Sequence, residues 1–215
     1  FEEVEIKIEQ QGDRLLVTYQ TPRGKLTTST VYDESMRRAG ITITHVEEQA
    51  FKGPEDYAAL CWLFEHARAE PNPAGYAAYA QSVGERGFAV AWISWAATPM
   101  HLIKRDLMPM EKFFFELHDH PDEIAQLCAA MDGYWRQMVA VCADCAADVL
   151  LLGTNYDSTI QNPPFFAEHI LPGLANFAEQ LHRRGKFLLT HTDGENHDLL
   201  PLYPAPAAWR LSQLA

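Results

Sequence analysis

The most informative segment of the sequence is Asp148-Val149-Leu150-Leu151-Leu152-Gly153-Thr154-Asn155-Tyr156-Asp157-Ser158. Its first half is a short run of Val and Leu, which is typical of a parallel strand covered by helices on both faces. Its second half is polar, and in parallel α/β proteins ligands bind just beyond the carboxyl ends of the strands. The stretch therefore predicts a buried parallel strand that leads directly into a functional loop.

Two other apolar runs resemble this strand, Phe88–Trp95 before it and Lys186–Thr190 after it. Helical patterns separate the three runs. One of these helices begins at Pro163-Pro164 and ends at Arg183-Arg184-Gly185, with cations in its last turn and glycine after it. Because strands and helices alternate, we predict that the three runs are neighbouring parallel strands joined by right-handed crossovers.

The amino-terminal residues have a different pattern. Val4, Ile6 and Ile8 alternate with charged side chains, and turn residues follow at 10–13 and 21–24. This alternation predicts antiparallel strands joined by tight turns, which form a small β-meander. At the other end, the residues after Leu202 are rich in Pro and Ala, which is typical of an irregular tail.

Together these patterns predict an α/β protein of the (βα)8 TIM-barrel type, incomplete, with an N-terminal antiparallel β-meander. A complete barrel takes about 250 residues for its strand and helix units, and only the three inner strands are clear. We assign residues 1–50 to the β-meander elaboration and connector, 51–202 to a partial βα-barrel, and 203–215 to the irregular tail.

Composition excludes several classes of partner. The formal net charge is −12 with 17 Lys and Arg residues and no basic run, which argues against binding to a nucleic-acid backbone. No stretch of about 18 apolar residues occurs, and the first residues do not have the pattern of a secretory signal. We therefore expect no membrane segment and a cytoplasmic location.

The richest strand end follows Lys186–Thr190 and reads His191-Thr192-Asp193-Gly194. His191 and Asp193 are two residues apart on extended backbone, so their side chains point the same way. An imidazole with a carboxylate can bind a divalent metal or transfer protons. The structural alternative is a glycine turn in which Asp193 caps the next helix and His191 is a buried, hydrogen-bonded imidazole.

The loop after Leu152 supplies further candidates, although Asn-Tyr-Asp-Ser is also ordinary turn chemistry. A carboxylate directly after a buried strand can orient or protonate a substrate. The candidates for catalysis are Tyr156, Asp157 and His191. The candidates for substrate contact are Asn155, Ser158 and Trp95. Apart from this strand-end position, the tryptophans Trp92, Trp95 and Trp135 fit a core role better than a cofactor platform.

Several segments, in this order and spacing, resemble the uroporphyrinogen decarboxylase superfamily, which also contains corrinoid-dependent methyltransferases. These segments are Lys52-Gly53-Pro54-Glu55-Asp56-Tyr57, Gly87-Phe88-Ala89-Val90, 117–123, Ala147-Asp148-Val149, 165–172, 181–186 and His191-Thr192-Asp193-Gly194.

The resemblance implies a βα-barrel and two possible sites. His191-Thr192-Asp193-Gly194 is similar to the strand-terminal His-x-Cys-Gly of the methyltransferase branch, where His and Cys bind a zinc ion that activates a thiol for methylation. Asp193 stands in place of the Cys, and zinc also accepts carboxylate oxygen. Tyr156-Asp157-Ser158 is similar to the Phe-Asp-Ser segment of the decarboxylases, whose Arg-rich amino-terminal substrate motif has no counterpart here.

The resemblance therefore implies an enzyme, and charge favours one branch. A tetrapyrrole with many carboxylates requires clustered cations, and the 17 Lys and Arg residues form no cluster near the strand ends. We expect a methyltransferase-like member that moves a methyl group between a small methylated substrate and a corrinoid or thiol. We also expect zinc held weakly by His191 and Asp193, a corrinoid on a partner protein, and a homodimer.

Two alternatives stay open. The first is a decarboxylase of tetrapyrrole biosynthesis that needs no cofactor and uses Asp157 as its charge-stabilising group. The second is a truncated, inactive barrel that acts as a binding module.

Overall fold

The computed structural model of the chain describes residues 1, 3–192 and 194–203. They form two compact units. The first contains Phe1–Arg68 and Ile103–Tyr134, and the second contains Ala69–Leu102 and continues from Trp135 to the last described residue, Tyr203. Two predictions fall outside the described residues: the second proposed metal ligand, Asp193, and the irregular tail beyond Tyr203.

The first unit contains a sheet of four antiparallel strands in chain order, so the predicted β-meander is confirmed. The strands are β1 (Glu5–Gln11), β2 (Arg14–Thr21), β3 (Gly24–Val31) and β4 (His45–Glu48). Gly12 lies in the β1–β2 turn with a φ of 63°, a conformation that glycine adopts without steric cost. The sequence patterns did not predict the short fourth strand.

Helices follow the predicted order, and each of three begins at a side chain that accepts a hydrogen bond from its first turn. They are α1 (Glu34–Arg38), α2 (Tyr57–Glu65), α3 (Pro73–Val83), α4 (Pro99–Leu102), α5 (Met110–Asp119), α6 (Pro121–Asp144), α7 (Pro163–Phe165) and α8 (Leu171–His182). Within the described residues, none of the helices combines the length and the apolar character needed to cross a lipid bilayer.

The core of the first unit lies between β3 and α2. Leu26 on β3 and Leu60 on α2 are fully buried. A buried hydrogen bond from the hydroxyl of Tyr57 to the carboxylate of Glu116, 2.8 Å long, satisfies a charged group that would otherwise be costly to bury. These contacts hold α2 and α5 together within this unit.

The second unit contains the predicted parallel strands, β5 (Val90–Ser94), β6 (Val149–Leu152) and β7 (Phe187–Thr190). They are neighbours in the order β5-β6-β7, and both pairs are parallel. This part of the prediction is confirmed. Helix α8 packs against β7 through Leu174, Phe177 and Leu181, which recur at helical spacing and are buried.

The predicted TIM-barrel fold is wrong. A barrel closes only when every strand is paired on both edges, whereas among the described residues β5 and β7 each pair with β6 alone. The other four strands form the separate antiparallel sheet. Three strands, each rotated by roughly 20–25° from its neighbour, make an open twisted sheet and cannot close on themselves.

The two faces of the parallel sheet differ in burial, which corrects the prediction that helices cover both. Leu150 and Leu152 on one face of β6 are 1% and 0% exposed. On the other face, Trp92 of β5 is 48% exposed and Leu189 of β7 is 46% exposed. Parallel sheets are usually covered on both sides, so this open face is an unusual feature.

The asymmetry predicts different costs for the same truncation on the two faces. Leu152→Ala should lower the free energy of unfolding by about 2–5 kcal/mol, because it leaves a cavity in a packed core. Leu189→Ala, the matched change on the open face, should cost less than about 1 kcal/mol. Urea denaturation of both variants measures the difference, and equal costs would show that the open face is packed in solution.

Candidate functional site at the carboxyl edge of the parallel sheet

Backbone pairing continues beyond the ends of the parallel strands and aligns the loops that follow. The amide of His191 donates to the carbonyl of Leu152 at 3.2 Å, and the amide of Gly153 donates to the carbonyl of Ser94 at 3.0 Å. The first residues after β6 and β7 are therefore held side by side at one edge of the sheet. This is the edge at which parallel α/β folds bind ligands.

A cluster of hydroxyl groups lies beneath this edge. The hydroxyls of Thr154 and Thr190 are 3.2 Å apart, and that of Thr190 is 3.3 Å from the hydroxyl of Tyr156. Thr154 and Tyr156 are completely buried. Burial raises the pKa of Tyr156 well above its ordinary range, so its phenol stays protonated and hydrogen-bonded in the core.

His191 is exposed at this edge and is oriented by Asn155. Its Nδ1 lies 3.1 Å from Oδ1 of Asn155, a residue that is also exposed. With this amide oxygen as the acceptor, the imidazole proton lies on Nδ1 and the lone pair on Nε2. The two loops therefore present a fixed imidazole whose Nε2 is a base or a ligand.

Asp157 joins the loop after β6 to the loop after β7. Its Oδ1 accepts from the amide of Thr159 at 2.8 Å, and its Oδ2 accepts from the amide of Glu195 at 3.2 Å. The amide of Ser158 donates back to the carbonyl of Glu195 at 2.6 Å. Gly194 has a φ of 82°, and a Cβ built there would overlap Oδ2 of Asp157, so only glycine permits this approach.

These hydrogen bonds set the charge of Asp157. The amide of Thr159 first, and that of Glu195 second, hold the pKa of the Asp157 carboxyl below its usual range. Asp157 is therefore an anion at neutral pH, and both of its oxygens are engaged by backbone amides. The same groups bring Asp157 and His191 to one edge of the sheet.

Two residues missed by the sequence patterns support the loop from beneath. Gln161 is buried; its Oε1 accepts from the amide of Asp157 at 2.9 Å, and its Nε2 donates to the carbonyl of Asn155 at 3.3 Å. Its Nε2 also lies 3.4 Å from Nε2 of the buried His101. His101 is 60 residues earlier in the chain, so no local spacing could reveal this contact.

The other predicted site residues have distinct positions. Ser158 is buried at the point where the loops after β6 and β7 are hydrogen-bonded to each other. Trp95 is 54% exposed just beyond β5. The assignment of Trp92 and Trp95 to the core is wrong, because each of the two side chains is about half exposed. Trp135 is buried, as that assignment predicted.

The predicted zinc site is not complete among the described residues. No three His, Cys, Asp or Glu side chains come close enough to hold a metal in that part of the chain. His191 supplies one nitrogen ligand, and Asp193 lies outside the described residues. Because catalytic zinc normally has three protein ligands, the described side chains do not fit this ion, and no chemical step is assigned to it.

Comparisons of the chain with protein-family models, with curated proteins and with solved structures find no match. The likeness to the uroporphyrinogen decarboxylase superfamily accordingly stays a resemblance of short segments.

The tie made by Asp157 predicts a pH-dependent stability. Because its pKa is depressed in the folded state, its contribution is present above the ordinary value of 3.8 and is lost as the pH falls through the folded value. Asp157→Asn should therefore be destabilising at pH 7, and its deficit should shrink as the pH falls below about 4 and through the folded value. Urea unfolding across this range measures it, with Glu85→Gln, an exposed carboxylate of the same unit, as control. A deficit that is independent of pH would contradict the role of the charge.

The hydrogen bonds of Gln161 lead to a second prediction, which concerns the stability of the loop after β6. Gln161→Met keeps the volume but removes both hydrogen bonds, which leaves the amide of Asp157 and the carbonyl of Asn155 without this partner. The free energy of unfolding should fall by about 1–3 kcal/mol, and amide exchange at Asp157 should accelerate. Gln81→Met, at an exposed helical position, is the control for the loss of a polar side chain. Unchanged exchange at Asp157 would show that Gln161 does not hold the loop.

Proposed function

We propose that this chain carries the small-molecule site of an enzyme, and that the enzyme is a methyltransferase-like member of the uroporphyrinogen decarboxylase superfamily. In this proposal a methyl group moves between a small methylated substrate and a corrinoid or thiol. The observation that supports it is the exposed imidazole of His191, fixed by Asn155 with its Nε2 available. A corrinoid carried by a partner protein, a homodimer and a cytoplasmic location belong to the same proposal.

The arrangement suits methyl transfer to a thiol because the nucleophile is the thiolate. An imidazole is the usual side chain for proton transfer near neutral pH. In the proposed step, Nε2 of His191 takes the thiol proton while sulfur attacks the methyl carbon. The bond between that carbon and the donor breaks, and its electron pair stays with the donor. The hydrogen bond to Asn155 stabilises the imidazolium that results.

A second candidate is supported by Asp157. Its depressed pKa keeps it anionic, and an anion can stabilise the positive charge that develops when a substrate is protonated before it loses carbon dioxide. This decarboxylase would need no cofactor. Against it stands the orientation of the carboxylate, whose two oxygens face the amides of Thr159 and Glu195.

His191→Ala tests the leading candidate. Methylcobalamin and 2-mercaptoethanol are incubated anaerobically with the protein, and loss of the methylcobalamin absorbance reports transfer. The variant should be slower by about a hundredfold or more, because it lacks the proton acceptor. The matched control is His197→Ala, an exposed histidine of the same loop, which should keep the parent rate.

Three outcomes separate the candidates. Transfer that is equally fast in His191→Ala would refute the role of this imidazole. A parent protein that does not demethylate methylcobalamin would refute methyl transfer to a thiol. Release of carbon dioxide from uroporphyrinogen that persists in His191→Ala and disappears in Asp157→Asn would favour the decarboxylase.

A further inference from the structure

An aromatic surface lies on the open face of the parallel sheet, at its carboxyl end. Trp92 is the last exposed side chain of β5, and Trp95 follows the strand. Their ring centroids are 4.3 Å apart with an interplanar angle of 62°. Each indole buries about half of its surface and leaves the rest exposed to solvent.

Gly153 leaves the space that Trp92 occupies in this position. A Cβ built on Gly153 would overlap the six-membered ring of Trp92, so the indole lies directly across the end of β6. Any larger residue at this position would displace the ring. The close contact indicates that the position of the indole is defined by two strands. An indole that projected freely from an edge strand would not need a glycine beneath it.

His191 and Asn155 lie on the same face as this indole. Trp92, Leu151 and Leu189 are in register across the three strands, so their side chains share one face. Gly153 and His191 come two residues after Leu151 and Leu189 on extended, paired backbone, and so return to that face. Asn155 faces the same way, whereas the alternate residues Thr154 and Thr190 bond to each other beneath the edge.

We infer that this surface binds a planar aromatic small molecule whose ring stacks on Trp92 and whose polar substituent meets His191 and Asn155. This inference rests on the proposed function for the reaction and adds the class of substrate. A flat ring matches the exposed indole, because offset and edge contacts between aromatic rings are favourable beyond the area they bury.

The neighbouring side chains favour a neutral aromatic ligand over an ion. The residues in register on this face are apolar: Val90, Trp92, Val149, Leu151, Phe187 and Leu189. An ion placed against them would lose its hydration without gaining a countercharge. Hydrogen-bonding groups are grouped at the carboxyl end instead, where His191 and Asn155 lie. The ligand is therefore apolar over most of its surface and polar at one end.

Matched probes test the class of ligand. 4-Methoxyphenol carries an aromatic ring, a hydroxyl and a methyl ether; 4-methoxycyclohexanol carries the same groups on a saturated ring, and choline is a methylated cation. The full chain is labelled with 15N, and the indole N–H signals are assigned by Trp→Phe variants. 4-Methoxyphenol should shift the Trp92 signal and bind about tenfold more tightly than 4-methoxycyclohexanol or choline.

Two variants locate the site. Trp92→Leu should abolish the preference for the aromatic probe. Gly153→Ala should weaken binding by displacing the indole of Trp92, while the signal of Trp62 in the first unit stays in place. Trp62→Phe, in the first unit, is the matched control and should bind like the parent. Equal affinity for the saturated probe, preference for choline, or binding that survives Trp92→Leu would overturn the inference.

The result is separable from that of the methyl-transfer assay, which does not use the 4-methoxyphenol probe. Demethylation of methylcobalamin without binding of the aromatic probe would overturn the assignment of the substrate class alone. Binding that depends on Trp92 in a protein without transfer activity would overturn the proposed reaction alone.

Discussion

The pairing of β6 with β5 on one edge and β7 on the other is the constraint on which the second unit depends. β6 is short, yet its Leu150 and Leu152 fix the buried face, and its backbone fixes the register of both neighbours. Because all three strands run in the same direction, their polar continuations emerge together. Asn155, Asp157 and His191 owe their proximity to this one arrangement of backbone hydrogen bonds.

The loops beyond these strands are secured chiefly by the backbone. Asp157 accepts hydrogen bonds from two amides in different loops. Gln161 forms hydrogen bonds with the backbone on either side of Tyr156. These hydrogen bonds fix the path of the chain without using the polar atoms of the exposed side chains. Asn155 and His191 are therefore held in place while their outer atoms stay accessible. This division between buried supports and exposed groups is typical of a ligand site on a rigid scaffold.

Sequence patterns predicted the local structure of the sheet well, and its extent poorly. The Val and Leu run of β6 and the alternation with helices identified three parallel neighbours, since both are local signals. The barrel was wrong because a strand's own residues do not specify how many strands lie beyond its neighbours. The polar residues after β6 and β7 were found by position alone.

Gln161 and His101 were missed because their contact joins segments far apart in the chain. Trp92 was assigned to the core because apolar aromatic residues usually lie there, and the glycine that leaves space for its ring on the open face follows a different strand, β6.

The ties between the two loops also bear on how fast and how selectively a ligand can associate. A loop that orders only on binding loses conformational entropy at that moment, which weakens affinity and slows formation of the complex. Here Asp157 and Ser158 of one loop are joined to Glu195 of the other by two hydrogen bonds. The entropy is lost during folding instead. A preorganised edge of this kind discriminates by shape, because it cannot remodel itself around a molecule that fits poorly.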